Sequence, residues 1–137
     1  MNDDVMINKI NVIERCLNRI DEEYDNNNEN LKNYTKQDSI ILNLQRACEA
    51  SIDLAMHLIA MKKLGIPQTS RDAFDVLYEQ KIIDKILADK MKAMVGFRNI
   101  AVHDYQKLNL DILESILKNH LTDFLKYTQA VLVTKGE

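Results

Sequence analysis

Phe97-Arg98-Asn99-Ile100-Ala101-Val102-His103-Asp104-Tyr105 sets an arginine, a histidine and a tyrosine in one short segment of a chain otherwise rich in Leu, Ile and Met. Upstream, Ile83, Leu87, Met91 and Met94 recur at helical spacing and mark one buried side. Arg98 falls on the next position of that apolar stripe. A fixed cation where the pattern asks for a hydrophobe is costly unless it is paired or faces a cleft or a partner. Arg98 is therefore a functional candidate.

The geometry of the segment follows from the helical repeat. Asn99 and His103 share one face, and Arg98 and Tyr105 share the neighbouring one. Arg98 and His103 themselves stand roughly 140° apart on an ideal helix. They converge on one substrate only if the helix distorts after Arg98 or if a second copy of the chain supplies the other half. No Pro or Gly lies between Arg98 and Tyr105 to force a break. Gly96, just before, removes a side chain and lets another backbone approach closely, at about 1 kcal/mol of helix propensity.

An imidazole beside a guanidinium, with no obvious metal set, suits phosphodiester chemistry. Histidine can take a proton from a ribose 2′-hydroxyl or give one to the leaving 5′-oxygen near neutral pH. Arginine can grip a phosphate with two donors and stabilise the charge that builds on it. Asn99 is placed to orient either group. The plainer reading makes Arg98 an ordinary ion pair and His103 a satisfied helix-end histidine, since Arg-x-x-x-x-His patterns also arise by chance.

Arg98-Asn99-Ile100-Ala101-Val102-His103-Asp104-Tyr105 resembles the R-x-x-x-x-H-x-Y signature of the HEPN superfamily, in its HepT-like branch of small bacterial toxins. The stretch from Leu44 to His57, with Arg46, Glu49 and Asp53, is similar to the second-helix pattern of that branch. The likeness spans nearly the whole chain in length and helix order, and nothing in the motif departs from the pattern. It implies a metal-independent ribonuclease that needs no cofactor and works as a homodimer. The Arg and His of both copies would line a shared cleft, so Arg98, His103 and Asn99 match the catalytic positions. It also implies an antitoxin partner, a small nucleotidyltransferase of the MNT type that attaches AMP to the motif tyrosine, here Tyr105.

Working outward, 137 residues suit one helical domain spanning 1–137 with a real core. A hydrophobic content of 46% with only 3 Gly and 1 Pro argues for an all-α protein. No apolar run reaches membrane-spanning length, and Met1-Asn2-Asp3-Asp4 lacks the basic and apolar regions of a signal peptide. Cys16 and Cys48 show no metal or redox spacing, which fits free thiols in a reducing cytoplasm. The net charge of −3 cuts against nucleic-acid binding, because phosphate neutralisation drives such affinity. A local basic cleft drawn from Lys90, Lys92, Arg98 and Lys107 is one answer; an acidic face meant for a basic partner is the other.

In chain order, Met6, Ile10, Ile13, Leu17, Ile20 and Tyr24 predict a first helix over 4–24. A polar loop follows over 25–33. A second helix should start after Thr35, where Thr35 and Asp38 resemble a capping box, and end near Leu64 with Gly65 as a left-handed cap. Within it Arg46, Glu49 and Asp53 form a solvated ladder, or Asp53 supports the site by pairing with Arg98. His57, inside an apolar run, reads as a hydrogen-bonded core histidine. A short third helix, capped by Thr69 or Ser70, turns Phe74, Leu77 and Tyr78 inward. The fourth starts near Ile82 or Asp84 and carries the motif at its C-terminal end. A fifth follows Asn109, with Leu110, Leu113, Leu117, His120, Phe124, Thr128 and Val131 in one stripe, and frays from Thr134.

These elements predict an up-and-down bundle of four long helices with one short helix inserted, paired as a two-fold homodimer. His57, His103 and His120 lack zinc-ligand spacing, and no Gly-rich phosphate loop or G-x-S-x-G elbow is present. The leading reading is an endoribonuclease toxin. The competing one is a non-catalytic helical module that binds a nucleotidyltransferase or a nucleotide.

Overall fold

The structure, a computed structural model, describes residues 3–105 and 108–135. Asp3 opens the first helix, α1 (Asp4–Tyr24), by accepting the Met6 N–H at 3.0 Å, which satisfies one donor of the first turn. The expected seam from Met6 to Tyr24 is buried throughout, with Cys16 beside it. It packs along α2 (Tyr34–Lys62), the longest and most central helix. Two polar contacts fix their antiparallel register: His57 Nε2 meets the Asp3 carboxylate at 2.9 Å, and Lys9 Nζ meets Asp53 at 3.1 Å. His57 is thus hydrogen-bonded as expected, though at the edge of the core rather than within it.

The polar stretch between them is more ordered than a loop. A 3-10 turn occupies Asn28–Lys32, and its Leu31 is buried. Asp25 and Asn26 reach it through left-handed φ of 49° and 50°, which their short polar side chains tolerate. One buried leucine among asparagines makes no periodic pattern, so the sequence hid it. The start of α2 also differs from expectation: Asn33, not Thr35, is the cap, accepting the Lys36 N–H at 3.1 Å. At the far end Lys63, at φ 55°, takes the left-handed position expected of Gly65. The Leu64 N–H closes that end onto the Ile59 carbonyl at 3.0 Å. Gly65 follows at φ 122°, where only glycine is at ease.

Thr69 caps α3 (Ser70–Glu79), and Asp84 caps α4 (Lys85–His103). Phe74 and Leu77 are fully buried, but Tyr78 is exposed, one position round from the inner face. The Phe74 ring meets Tyr127 edge-on at 5.6 Å between centroids, and the Tyr127 hydroxyl donates to the Ser51 carbonyl at 2.8 Å. That contact ties α3 and the last helix to α2. Burying such a side chain contributes about 1.5–3 kcal/mol.

The expected fifth helix is two: α5 (Leu110–Asn119), capped by Asn109, and α6 (Leu121–Lys135). The chain turns at His120, whose backbone leaves helical geometry while Nδ1 lies 3.0 Å from Asp123. Asp123 is buried and also receives Lys90 at 3.6 Å. A buried carboxylate needs donors, and the turn brings one. With no Gly or Pro at the joint, the apolar stripe runs through the break unmarked. Leu110, expected inside, is exposed. The expected fraying at Thr134 is not seen: it is buried and donates to the Ala130 carbonyl at 3.1 Å, while Gly136 and Glu137 lie outside the described residues. The described residues are thus all-helical, the four expected long helices and one short one being present with the last long helix divided.

Candidate functional site

The motif occupies the last turns of α4, and that helix runs unbroken from Lys85 to His103. No distortion after Arg98 rotates the two residues together, so they keep the roughly 140° separation of an ideal helix. Arg98 turns inward, toward α2 and the start of α3. Its Nη1 lies 3.4 Å from Glu49 Oε1, its Nη2 lies 3.3 Å from Ser70 Oγ, and its Nε is buried without a hydrogen-bond partner. Both bonds are at the long end of the range. The guanidinium is placed but not saturated.

Asn99 and His103 face outward. Both are exposed, and neither bonds to another described residue. Ile100 and Val102 between them are 41% and 46% exposed, an apolar surround for a polar pair. Tyr105 follows the helix end, also exposed, and its hydroxyl donates to Asp38 Oδ1 at 2.6 Å. Partial burial and then the neighbouring carboxylate push its phenol up to about 12, because both disfavour a second negative charge.

Asp53 does not support Arg98. It pairs with Lys9 from α1, while Glu49, one turn earlier on α2, faces α4. Neither acid joins the expected solvated ladder. Sequence spacing put both on one stripe of α2 but did not say which neighbour each would meet. Gly96 is approached by a side chain rather than a backbone: the Arg71 guanidinium would stand 3.3 Å from a β-carbon there. Cys48 lies buried near Arg98, and burial pushes its thiol up to about 12, so it serves as a small hydrophobe.

The expected basic cleft is largely neutralised. Lys90 pairs with Asp123 and Lys92 with Asp75 at 2.9 Å, while Lys107 lies outside the described residues. Asp38, Glu49 and Ser70 are the site neighbours that sequence reasoning missed. In the sequence Asp38 resembles half of a capping box, and the signal that it faces Tyr105 exists only in the packing. Among the described residues, no three His, Cys, Asp or Glu side chains converge as a metal ion would require.

An all-α bundle whose central helix holds the arginine of an R-x-x-x-x-H-x-Y motif, with the histidine and tyrosine exposed at the surface, defines a HEPN-type protein. The family model described as ribonuclease HepT-like matches residues 13–131. The chain belongs to that family of ribonucleases. It is 49% identical over 128 residues to the mRNA nuclease HepT of Shewanella oneidensis, covering 93% of this chain and 96% of that one. It superposes with a TM-score of 0.91 on the tri-AMPylated HEPN toxin of the same organism in complex with its MNT antitoxin. There the identity is 48%, with 96% of this chain and 99% of that one covered. A second toxin–antitoxin structure, with AMP-PNP, gives a TM-score of 0.92 at 47% identity, over 96% and 99% of the two chains.

Proposed function

We propose that this chain is the toxin of a HEPN/MNT toxin–antitoxin pair: a metal-independent endoribonuclease acting as a two-fold homodimer in the cytoplasm. The observation that carries this is the continuity of α4. One chain presents Arg98 on one side of the helix and His103 and Asn99 on another. Only a second copy, with its motif helix facing the first across the apolar surround of Ile100 and Val102, assembles a complete Arg/His set. His103 takes the proton of the ribose 2′-hydroxyl or gives one to the leaving 5′-oxygen, as the 2′-oxygen attacks the adjacent phosphorus and the bond to the 5′-oxygen breaks. Arg98, with its unfilled hydrogen-bonding capacity, grips the phosphate as charge builds on it. The products carry a 2′,3′-cyclic phosphate and a 5′-hydroxyl.

Control falls to Tyr105. A partner nucleotidyltransferase of the MNT type joins AMP to its hydroxyl, placing negative charge and bulk where RNA phosphate would sit. The names of the solved relatives, tri-AMPylated and in complex with an MNT antitoxin, support this reading. An assembly larger than a dimer, with antitoxin bound, is compatible with it. No helix among the described residues is long and apolar enough to cross a membrane.

A second reading, a non-catalytic module that docks a nucleotidyltransferase, is favoured by the pairing of Lys90 and Lys92 with acids. One experiment separates the two. Cells induced for the wild-type chain should stop growing, and cells induced for His103→Ala should not, with both proteins folded by circular dichroism. RNA from the arrested cells should then show cyclic-phosphate ends. Equal toxicity of both chains, or of neither, removes His103 from catalysis and leaves the docking module.

A further inference from the structure

A groove of about 720 Å³ runs between α1 and α2, and its arginines have no part in the proposed mechanism. Arg15 and Arg46 line it, and the register set by Asp3–His57 and Lys9–Asp53 brings them level with each other. Both are exposed, and neither has an ion-pair or hydrogen-bond partner among the described residues. The other charges of the groove are engaged. Lys9 holds Asp53, Glu49 holds Arg98, and Arg19 is spent on Glu22 and Glu23. The buried thiol of Cys16 also lines the groove, and Arg15 and Arg46 are both near enough to act on it electrostatically.

The groove also reaches the motif. Asp38, which receives the Tyr105 hydroxyl, lines it, and so does Glu49, which receives Arg98. Those two acids stand eleven residues apart on α2, about 16 Å, and Arg46 lies between them. Two like charges that line one groove without a counter-ion repel each other, and an anion placed between them relieves that cost. The paired lysines near the motif offer no such vacancy.

We propose that the α1–α2 groove is a phosphodiester-binding track, in which Arg15 and Arg46 together hold a backbone phosphate of a ribonucleotide strand that continues to Arg98 and Tyr105. The inference rests on the nuclease reading for its strand, but not for its chemistry. The phosphate comes either from substrate RNA or from AMP joined to Tyr105; both present the same group to the arginines. The acids that line the same groove, Asp38, Glu49 and Asp53, limit contact to the part that Arg15 and Arg46 line, which suits a short strand rather than a long duplex.

The test uses a 2′-O-methyl oligoribonucleotide, which lacks the nucleophilic hydroxyl and is not cut. Its affinity is read by fluorescence anisotropy for the wild-type chain, for Arg15→Ala/Arg46→Ala, and for Lys62→Ala, an exposed cation away from the groove. Because the replaced side chains are exposed, the variants should fold, and circular dichroism checks this. The double variant should bind roughly tenfold more weakly or worse, with a salt slope lower by about 0.7, the share of one phosphate of a single strand. Lys62→Ala should bind as wild type does. In parallel, the phosphorus resonance of AMP on Tyr105, attached with the partner enzyme and ATP, is compared in wild type and double variant.

Loss of affinity assigns the groove to substrate RNA. A shifted resonance with unchanged affinity assigns it to the attached nucleotide. Unchanged affinity with an unshifted resonance, or equal losses in Lys62→Ala, overturns the proposal. Arginine-dependent binding by a chain that fails to cleave RNA upholds the groove and defeats the nuclease reading, so the two fail separately.

Discussion

Replacing Arg98 by methionine should make the protein more stable while ending its toxicity. Arg98 stands fifth in a stripe whose other members, Ile83, Leu87, Met91 and Met94, are all buried. Its side chain is 20% exposed, and its Nε–H is buried and unpaired, which costs about 1–3 kcal/mol relative to a satisfied group. Against this stand a 3.4 Å pair to a half-exposed Glu49 and a 3.3 Å bond to Ser70. Exposed or long pairs of this kind return about 0–1 kcal/mol each. Methionine is unbranched and comparable in length, so it continues the apolar stripe and contributes about 1 kcal/mol of its own burial. The balance favours Arg98→Met by about 1 kcal/mol.

In a chain of this size that balance raises Tm by about 3–5 °C. The assay is thermal unfolding by circular dichroism at one fixed protomer concentration, since dimer formation shifts Tm by mass action. Growth on induction is scored beside it. A variant that is both more stable and harmless identifies Arg98 as a residue kept for chemistry at a cost in stability. The reasoning is refuted if Arg98→Met lowers Tm by more than about 3 °C. The Glu49–Arg98–Ser70 contacts would then be structural, and the plainer ion-pair reading of the arginine would stand.

The remaining predictions concern the tyrosines and the buried acid. Asp38→Asn should move the Tyr105 titration midpoint, followed by ultraviolet difference absorption, part of the way down from about 12 toward 10.0. It should stop short because burial, the largest cause, remains. The sign for stability follows: a phenol raised in the folded state stabilises it below the ordinary tyrosine range, and that share is lost as pH climbs from 10.0 to about 12. Alkaline unfolding should therefore begin at lower pH in wild type than in Tyr105→Phe. The same Tyr105→Phe should stay toxic when the partner transferase is co-expressed; neutralisation of that variant would show that control does not run through this hydroxyl. Tyr127→Phe removes a buried bond to the Ser51 carbonyl and should cost about 1 kcal/mol in urea unfolding. Asp123→Ala strips His120 and Lys90 of a shared buried acceptor and should cost about 2–3 kcal/mol by the same measurement.

Where the sequence was legible, one local signal and one tertiary demand agreed. The seam from Met6 to Tyr24 is both a helical period and the surface that α2 covers, so α1 has the expected bounds. The motif helix likewise ends at His103, where its apolar stripe gives out. Where it was illegible, a polar contact decided between local options. Asn33 and Thr35 are both competent caps, and the choice fell to the one that also closes the 3-10 turn. The break at His120 follows from Asp123 needing a donor, a demand that appears only once Asp123 is buried. Arg98 was recognisable as misplaced in its stripe, but its partner was one turn away from the expected acid. Spacing on α2 fixes a face and leaves the neighbour open.

The site is also less local than its octapeptide suggests. Arg98 and Tyr105 both hang on the same helix, through Glu49 and Asp38 of α2. A rigid helix holds those two anchors about 16 Å apart, and α2 is packed on several sides by α1, α3 and α4. The guanidinium and the phenol hydroxyl therefore cannot drift relative to each other without disturbing the core. In the proposed control, AMP joined to Tyr105 would replace the hydrogen that Asp38 accepts and set a second negative charge beside that carboxylate. The freed acid then lies at one end of the same α2 face whose other acid holds Arg98. His103 and Asn99, by contrast, are exposed and have no side-chain partner among the described residues. In the nuclease reading the fold anchors the arginine and the tyrosine within each chain and leaves the histidine to be completed by the second copy.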